Sequence, residues 1–279
     1  MTARRRLLSA LAALISLVDP TALGGGAASA DEPLSDQRRS ELARTGLNAF
    51  DEAIDAVRQN PARAQELYRS AAAAFETLAE HGVSSAALEY NLGNTYFRLG
   101  DLGRAVLHYR RGARLDPADA ALNANLAYAR NRVEPFIKPH GKQQLVARLM
   151  FWTNRVPAHW SIWIAAFVSV VGWGGLLFWR RRRSGALLAL SCFAIALSLI
   201  VAGAAAWQLH DQSVRPHAVI IDGEYVLRLG RGQGYDPAIA RPLGHGVELR
   251  VLSERADWAE VRLVDGQTGW LPAAALEKI

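Results

Sequence analysis

WSIWIAAFVSVVGWGGLLFW (Trp160–Trp179), RRRR (Arg180–Arg183) and SGALLALSCFAIALSLIVAGAAAW (Ser184–Trp207) follow one another without a gap. The two long stretches carry no charged residue, and four arginines separate them. As helices rising ~1.5 Å per residue, each is long enough to cross a hydrocarbon core of roughly 30 Å. The sequence therefore predicts two transmembrane helices, over 159–179 and 184–208, joined by a turn at 180–183. Loop arginines are retained on the cytoplasmic side of a membrane. Arg180, Arg181, Arg182 and Arg183 are thus the expected topology determinants, and the segments on either side of the hairpin are expected together on the opposite face.

The N-terminus agrees with that orientation. Arg4, Arg5 and Arg6 precede an apolar run from Leu7 to Val18, and a small-residue stretch closes with Ala28-Ser29-Ala30. Basic, apolar and small-residue regions in this order make residues 1–30 an expected signal peptide, cleaved before Asp31. An uncleaved anchor is the alternative, and it places the following domain on the same side.

Outside the spans, the 279 residues leave a helical region and a tail, each large enough for a modest core of its own. The single cysteine, Cys192, falls inside the second span, so neither flanking domain can form a disulfide within itself. The net charge of +6 sits largely in the arginines of the signal and the turn, which argues against a nucleic-acid-binding surface.

Residues 31–133 are rich in Ala, Leu, Arg and Glu at helical spacing. Leu92, Tyr96 and Leu99 share one helical face, and Ala105, Tyr109 and Gly112 share another. Small residues at 93, 105 and 112 allow close helix approach, with the aromatic rings filling the space between. Shifting back by 34 lands on Ala71 and Phe75, the same small and aromatic pair, in a helix expected over Ala62 to Glu80. A last helix is expected over Ala118 to Arg132. With Leu92-Gly93, Tyr96, Gly100, Ala105, Tyr109 and Pro117, residues 86–119 resemble a tetratricopeptide repeat, and the resemblance implies an all-α stack of helix pairs. One position departs from the family: a large aromatic usually stands three residues before the leucine, and here it is Glu89. Tyr90, Asn94, Phe97 and Arg98 lie off the core stripe. They form a candidate groove for a protein segment, the alternative being packing against the neighbouring helix.

Pro135, Pro139 and Gly141 interrupt any helix through the start of 134–158. Beyond them Leu145, Leu149, Trp152 and Val156 recur at helical spacing. The expected element is an amphipathic helix on the membrane surface, or else a final helix docked on the bundle.

From 215 to 279 short β-branched runs alternate with glycines. His217–Ile221, Tyr225–Leu229, Gly246–Leu252, Trp258–Val264 and Thr268–Pro272 read as five strands, with Leu276–Ile279 closing the set. Val247, Leu249 and Val251 alternate with Glu248 and Arg250, as a half-buried sheet requires. Trp258 and Trp270 are expected in the barrel core or at its rim, with Trp270 pointing inward, the alternative being that they are surface platforms for a ligand. The ordered set Val219-Ile220, Gly234-Tyr235-Asp236-Pro237, Leu243, Gly246, Asp257-Trp258, Gly266 and Gly269-Trp270-Leu271-Pro272 resembles a bacterial SH3 domain, which implies an all-β barrel.

No catalytic constellation emerges. The seven histidines fall in different elements, none forms a helical zinc pair with Glu, and Cys192 lies in a span. Gly230, Gly232 and Gly234 lack the following helix and Lys-Ser/Thr of a phosphate loop. No cofactor, no metal and no enzymatic activity is expected.

Signal peptide, tetratricopeptide repeats, arginine-turned hairpin and SH3-like domain, in this order, resemble the BatE-like family of bacterial aerotolerance operons. Tyr90-Asn91-Leu92-Gly93-Asn94 and Gly100-Asp101-Leu102-Gly103-Arg104-Ala105 carry the resemblance most specifically. It implies an inner-membrane protein with both soluble domains in the periplasm. It further implies an adaptor for protein partners, von Willebrand A-domain membrane proteins of such an operon among them. The competing expectation is a peptidoglycan binder acting through the SH3-like domain.

Overall fold

The computed structural model describes residues 34–135, 137, 158–214 and 216–279. The expected signal peptide and nearly all of the linker and amphipathic helix lie outside them. The chain divides into two compact units. The first is Met1–Phe136 with Val219–Gly223 and Gly244–Val247; the second is Ile137–Ala218, Glu224–Leu243 and Glu248–Ile279.

In the first unit, α1 (Asp36–Ala56), α2 (Pro61–Glu80), α3 (Ala86–Leu99), α4 (Leu102–Leu115) and α5 (Ala120–Arg130) succeed one another through short loops. Each starts on a side-chain oxygen that accepts a backbone N–H of the first turn, from Ser35, Asn60, Ser85, Asp101 and Asp119 in order. Such caps satisfy donors that a helix cannot satisfy itself. Asp119 accepts from both Ala121 and Leu122, which is why the last helix begins at Ala120 rather than at the expected Ala118. Gly100 ends α3 at φ 84°, a left-handed conformation that glycine adopts without strain, and turns the chain at once into α4.

Each helix packs on the next, and the interfaces are set by small residues under large ones. A Cβ added at Gly93 would lie 2.5 Å from Cδ1 of Tyr109, and one at Gly46 would lie 2.5 Å from Cε1 of Phe75. Phe75 and Tyr109 are both buried, while Gly46 carried no signal of its own. Gly112 sits in the same way against Leu122, linking α4 to α5.

Glu89, the departure from the repeat pattern, has a role. Its carboxylate lies 2.8 Å from Nδ1 of the buried His108 across the α3–α4 interface. The His108 ring in turn stacks on Tyr96, with centroids 5.4 Å apart. The Tyr96 hydroxyl donates to Glu76 of α2. Burial, reinforced by the Glu76 carboxylate, pushes the Tyr96 phenol far above its ordinary pKa. A polar network thus links the second, third and fourth helices. Within the same unit the Gly244 N–H donates to the Glu134 carbonyl at 3.2 Å. Gly103 lies against the Ile221 carbonyl and Gly246 against Val133, so side chains at these glycines would collide.

The second unit contains α6 (Ala158–Arg182) and α7 (Gly185–Val214), two helices long and apolar enough to cross a membrane. They pack as an antiparallel pair: Gly172 faces Ile195, and Gly175 faces Ser191. The helical ladder continues through Arg182, so only Arg183, at φ 50°, and Ser184 form the turn expected at 180–183. α7 likewise runs past the expected 208 to Val214.

The sheet has the order β4-β3-β2-β1-β5, from β1 (His217–Ile220), β2 (Glu248–Arg255), β3 (Trp258–Leu263), β4 (Thr268–Pro272) and β5 (Leu276–Lys278). β2 pairs antiparallel with β3, and β3 with β4. Leu249, Val251, Val261, Leu263 and Leu271 form the buried side of β2, β3 and β4, while Ala218, Val219 and Ile220 of β1 are all buried. The expected strand Tyr225–Leu229 is not one. Tyr225 bridges Leu243, and Arg228 bridges both Pro237 and Trp270. This stretch changes partner within three residues, so a continuous ladder cannot form.

Candidate functional site

The outer face of the sheet carries a cross-strand row. Ser253 of β2 stands opposite Glu260 of β3, which stands opposite Trp270 of β4. Residues directly opposite in neighbouring strands project to the same side. A bulge between Val251 and Ser253 makes this row possible. Without it Ser253 would share the buried side of Val251; the extra residue re-aims Ser253 and Arg255 outward. The Ser253 hydroxyl donates to one Glu260 oxygen at 3.0 Å.

A loop completes the site. Leu229 N–H donates to the Asp236 carbonyl, Ala238 N–H to Leu227, and the Arg228 guanidinium to the Tyr235 carbonyl at 2.8 Å, closing residues 228–238 into a hairpin. Arg231 at its tip lies over the Trp270 ring, 5.6 Å from the centroid, a cation–π distance. Arg231, Ser253, Arg255, Glu260 and Trp270 line an open recess of about 140 Å³. Neither Arg231 nor Arg255 has an ion-pair partner among the described residues. The recess therefore offers two guanidinium groups, one carboxylate oxygen not engaged by Ser253, and an indole.

Trp270 corrects the sequence reading. Trp270 does not point inward. Along β4 the buried positions are Gly269 and Leu271, and Trp270 between them is half-buried on the opposite side. Only one parity of a strand can face the core, and Gly269 must take it: a Cβ there would meet Leu227 Cγ at 2.6 Å and the Arg228 carbonyl oxygen at 2.8 Å. Trp258 follows the same rule, half-buried while Ala259, Val261 and Leu263 are buried. The available signal was the Gly-x-Leu spacing around Trp270. Arg231, Ser253, Arg255 and Glu260 had none, because a loop tip and a bulge bring them together.

On the first unit, the structure places Tyr90, Asn94, Phe97 and Arg98 along one face of α3. Asn94 Oδ1 accepts from the Tyr109 hydroxyl at 2.7 Å and from Nδ2 of Asn125 at 2.8 Å. Phe97 meets Tyr128 of α5, centroids 5.5 Å apart, and Tyr90 approaches Tyr109. Arg98 is exposed and makes no hydrogen bond or ion pair among the described residues. Its charge bears on Tyr68 and Tyr109, where burial raises both phenols and Arg98 opposes the rise. The Tyr68 hydroxyl is buried without a hydrogen-bond partner. No cluster of three or more metal-ligating side chains occurs among the described residues.

Comparison with known proteins identifies one part of the chain. Residues 235–276 match the family described as the bacterial dipeptidyl-peptidase SH3 domain. No curated protein and no solved structure matches. The matched segment contains β2, β3 and β4 and, with them, Ser253, Arg255, Glu260 and Trp270; the C-terminal antiparallel sheet is thus consistent with an SH3-like domain.

Proposed function

We propose that this is a membrane-anchored, non-catalytic binding protein of the bacterial envelope, which contacts the cell wall through its SH3-like domain. The observation that carries this reading is the recess of Arg231, Ser253, Arg255, Glu260 and Trp270 on the exposed side of a bacterial SH3 domain. Aromatic and arginine side chains beside unengaged polar groups are common elements of binding sites. The family name attaches such domains to a peptidase, which favours a ligand containing peptide, and peptidoglycan is the envelope polymer that does. In this reading α6 and α7 span the inner membrane, Arg180–Arg183 lie at its cytoplasmic side, and both flanking regions are periplasmic. The test is co-sedimentation of the full-length protein in detergent with purified sacculi. Retention that Trp270→Ala abolishes while the protein still unfolds in a cooperative thermal transition is the expected result; no retention of the parent protein contradicts it.

A second reading rests on α3. Arg98 without a counterion, beside the unpartnered Tyr68 hydroxyl and the Asn94 amide, supports an adaptor that holds a protein segment across Tyr90, Asn94, Phe97 and Arg98. The resemblance to tetratricopeptide repeats and to BatE-like proteins supports an envelope-stress complex as the adaptor's setting, with von Willebrand A-domain membrane proteins as the proposed partners. A photo-crosslinker at position 98 should capture such a protein in intact cells. Phe97→Ala should weaken the capture by about 1–3 kcal/mol if Phe97 anchors the contact. Undiminished capture by both Phe97→Ala and Arg98→Ala returns the face to packing alone.

A further inference from the structure

We infer that the recess on the SH3-like sheet recognises the free C-terminal carboxylate of a short peptide ending in a small residue. The inference rests on the cell-wall reading for its setting and on the recess for its chemistry. Two guanidinium groups without counterions, Arg231 and Arg255, face one recess, so a ligand that brings an anion is favoured. Glu260 restricts which anion. Its carboxylate is held in the same recess by the Ser253 hydroxyl, and repels a dianion while accepting from any donor beside the anionic group. A peptide C-terminus supplies both: a single negative charge and, two bonds away from the carboxyl carbon, its own amide N–H. An uncharged glycan would leave both arginines unneutralised.

Size points the same way. At about 140 Å³ the recess is well below the roughly 300–1,000 Å³ of pockets that enclose a drug-sized ligand. It grips an end group, not a whole molecule. The exposed part of the Trp270 ring gives a small aliphatic side chain an apolar surface, and the same ring positions Arg231 by the cation–π contact. The bulge before Ser253 and the hairpin carrying Arg231 both serve to bring these groups together.

The test is calorimetric titration of the full-length protein in detergent with diacetyl-Lys-D-Ala-D-Ala and with the same peptide as its C-terminal amide. The acid should bind saturably and the amide at least about tenfold more weakly, the loss expected when a charge-assisted hydrogen bond goes. Arg231→Gln and Arg255→Gln should each reproduce that loss with the parent thermal transition retained. Equal binding of acid and amide, no saturable binding of the acid, or tighter binding of inorganic phosphate than of acetate overturns the inference. Sacculi separate this failure from that of the wider reading. A protein that sediments with sacculi but ignores the peptide refutes the carboxylate site and leaves wall binding standing. A protein that binds the peptide and not sacculi keeps the site and refutes wall binding.

Discussion

The pairs α3–α4 and α6–α7 are both antiparallel helical hairpins with short turns, and they are built inside out relative to one another. In α3–α4 the large side chains point inward: Leu88, Leu92, Tyr96, Val106, Leu107 and Tyr109 are buried. In α6–α7 the buried residues include Ala165, Ala205, Ser161, Ser191 and Ser198, while Trp163, Phe167, Val170, Leu177, Leu190, Phe193 and Leu199 are exposed. Glycine serves both, at Gly93 under Tyr109 and at Gly172 and Gly175 against α7. The difference fits the proposal that water surrounds the first hairpin and lipid the second. Water drives large apolar groups into an interior; hydrocarbon supplies no such drive, and helices there associate through small residues that let backbones approach.

The sharpest way to break the comparison is to remove one ring from each environment. Phe75 is 2% exposed over Gly46, and Phe167 is 70% exposed on α6. Phe75→Ala should cost about 3–5 kcal/mol of stability, whereas Phe167→Ala in detergent should stay within about 0.5 kcal/mol, as for a surface position. Comparable losses, measured by denaturant unfolding of the purified protein, would contradict the inside-out description. The SH3-like sheet makes the same contrast within one strand. Leu271→Ala, at a buried position, should cost about 2–5 kcal/mol. Its neighbour Trp270→Ala should cost about 1–2 kcal/mol through the lost cross-strand and cation–π contacts; the reverse order would put the indole back in the core.

Smaller effects sharpen the account of the hairpin. Gly175→Leu forces a side chain onto Ser191 and should destabilise the α6–α7 pair by about 1–3 kcal/mol, as overpacking does. Thermal denaturation in detergent reads it, and an unchanged transition would mean the helices are not in close contact. Ser191→Ala should be smallest, about 0.6 kcal/mol or less. The Ser191 hydroxyl bonds its own helix at the Leu187 carbonyl rather than the partner helix.

The hairpin was legible because it needs only composition: uninterrupted apolar stretches and an arginine cluster are visible without any tertiary contact. The ring positions Phe75 and Tyr109 were legible through their spacing. What escaped depends on non-local geometry. Gly46 finds its ring on the following helix, and Glu89 looked like a departure until His108 appeared opposite it. The recess depended on a bulge that changes strand parity after Val251, and on a loop tip folding back onto β4. Trp270 was misplaced because hydrophobicity favours a buried indole, while the crowding at Gly269 decides the parity of the strand. On α3, helical spacing grouped Tyr90, Asn94, Phe97 and Arg98 on one face, but it could not show that Asn94 and Phe97 already touch α5.

The central claim is that the inside-out hairpin crosses a membrane and leaves both flanking regions on one side. Alkaline phosphatase, which is active only when exported, fused after residue 135 and after Ile279 tests it most directly, with a third fusion between Arg183 and Ser184. The account predicts active enzyme from the two outer fusions and inactive enzyme from the one in the turn. Stable expression with an inactive fusion at either outer position, or an active one in the turn, would contradict it.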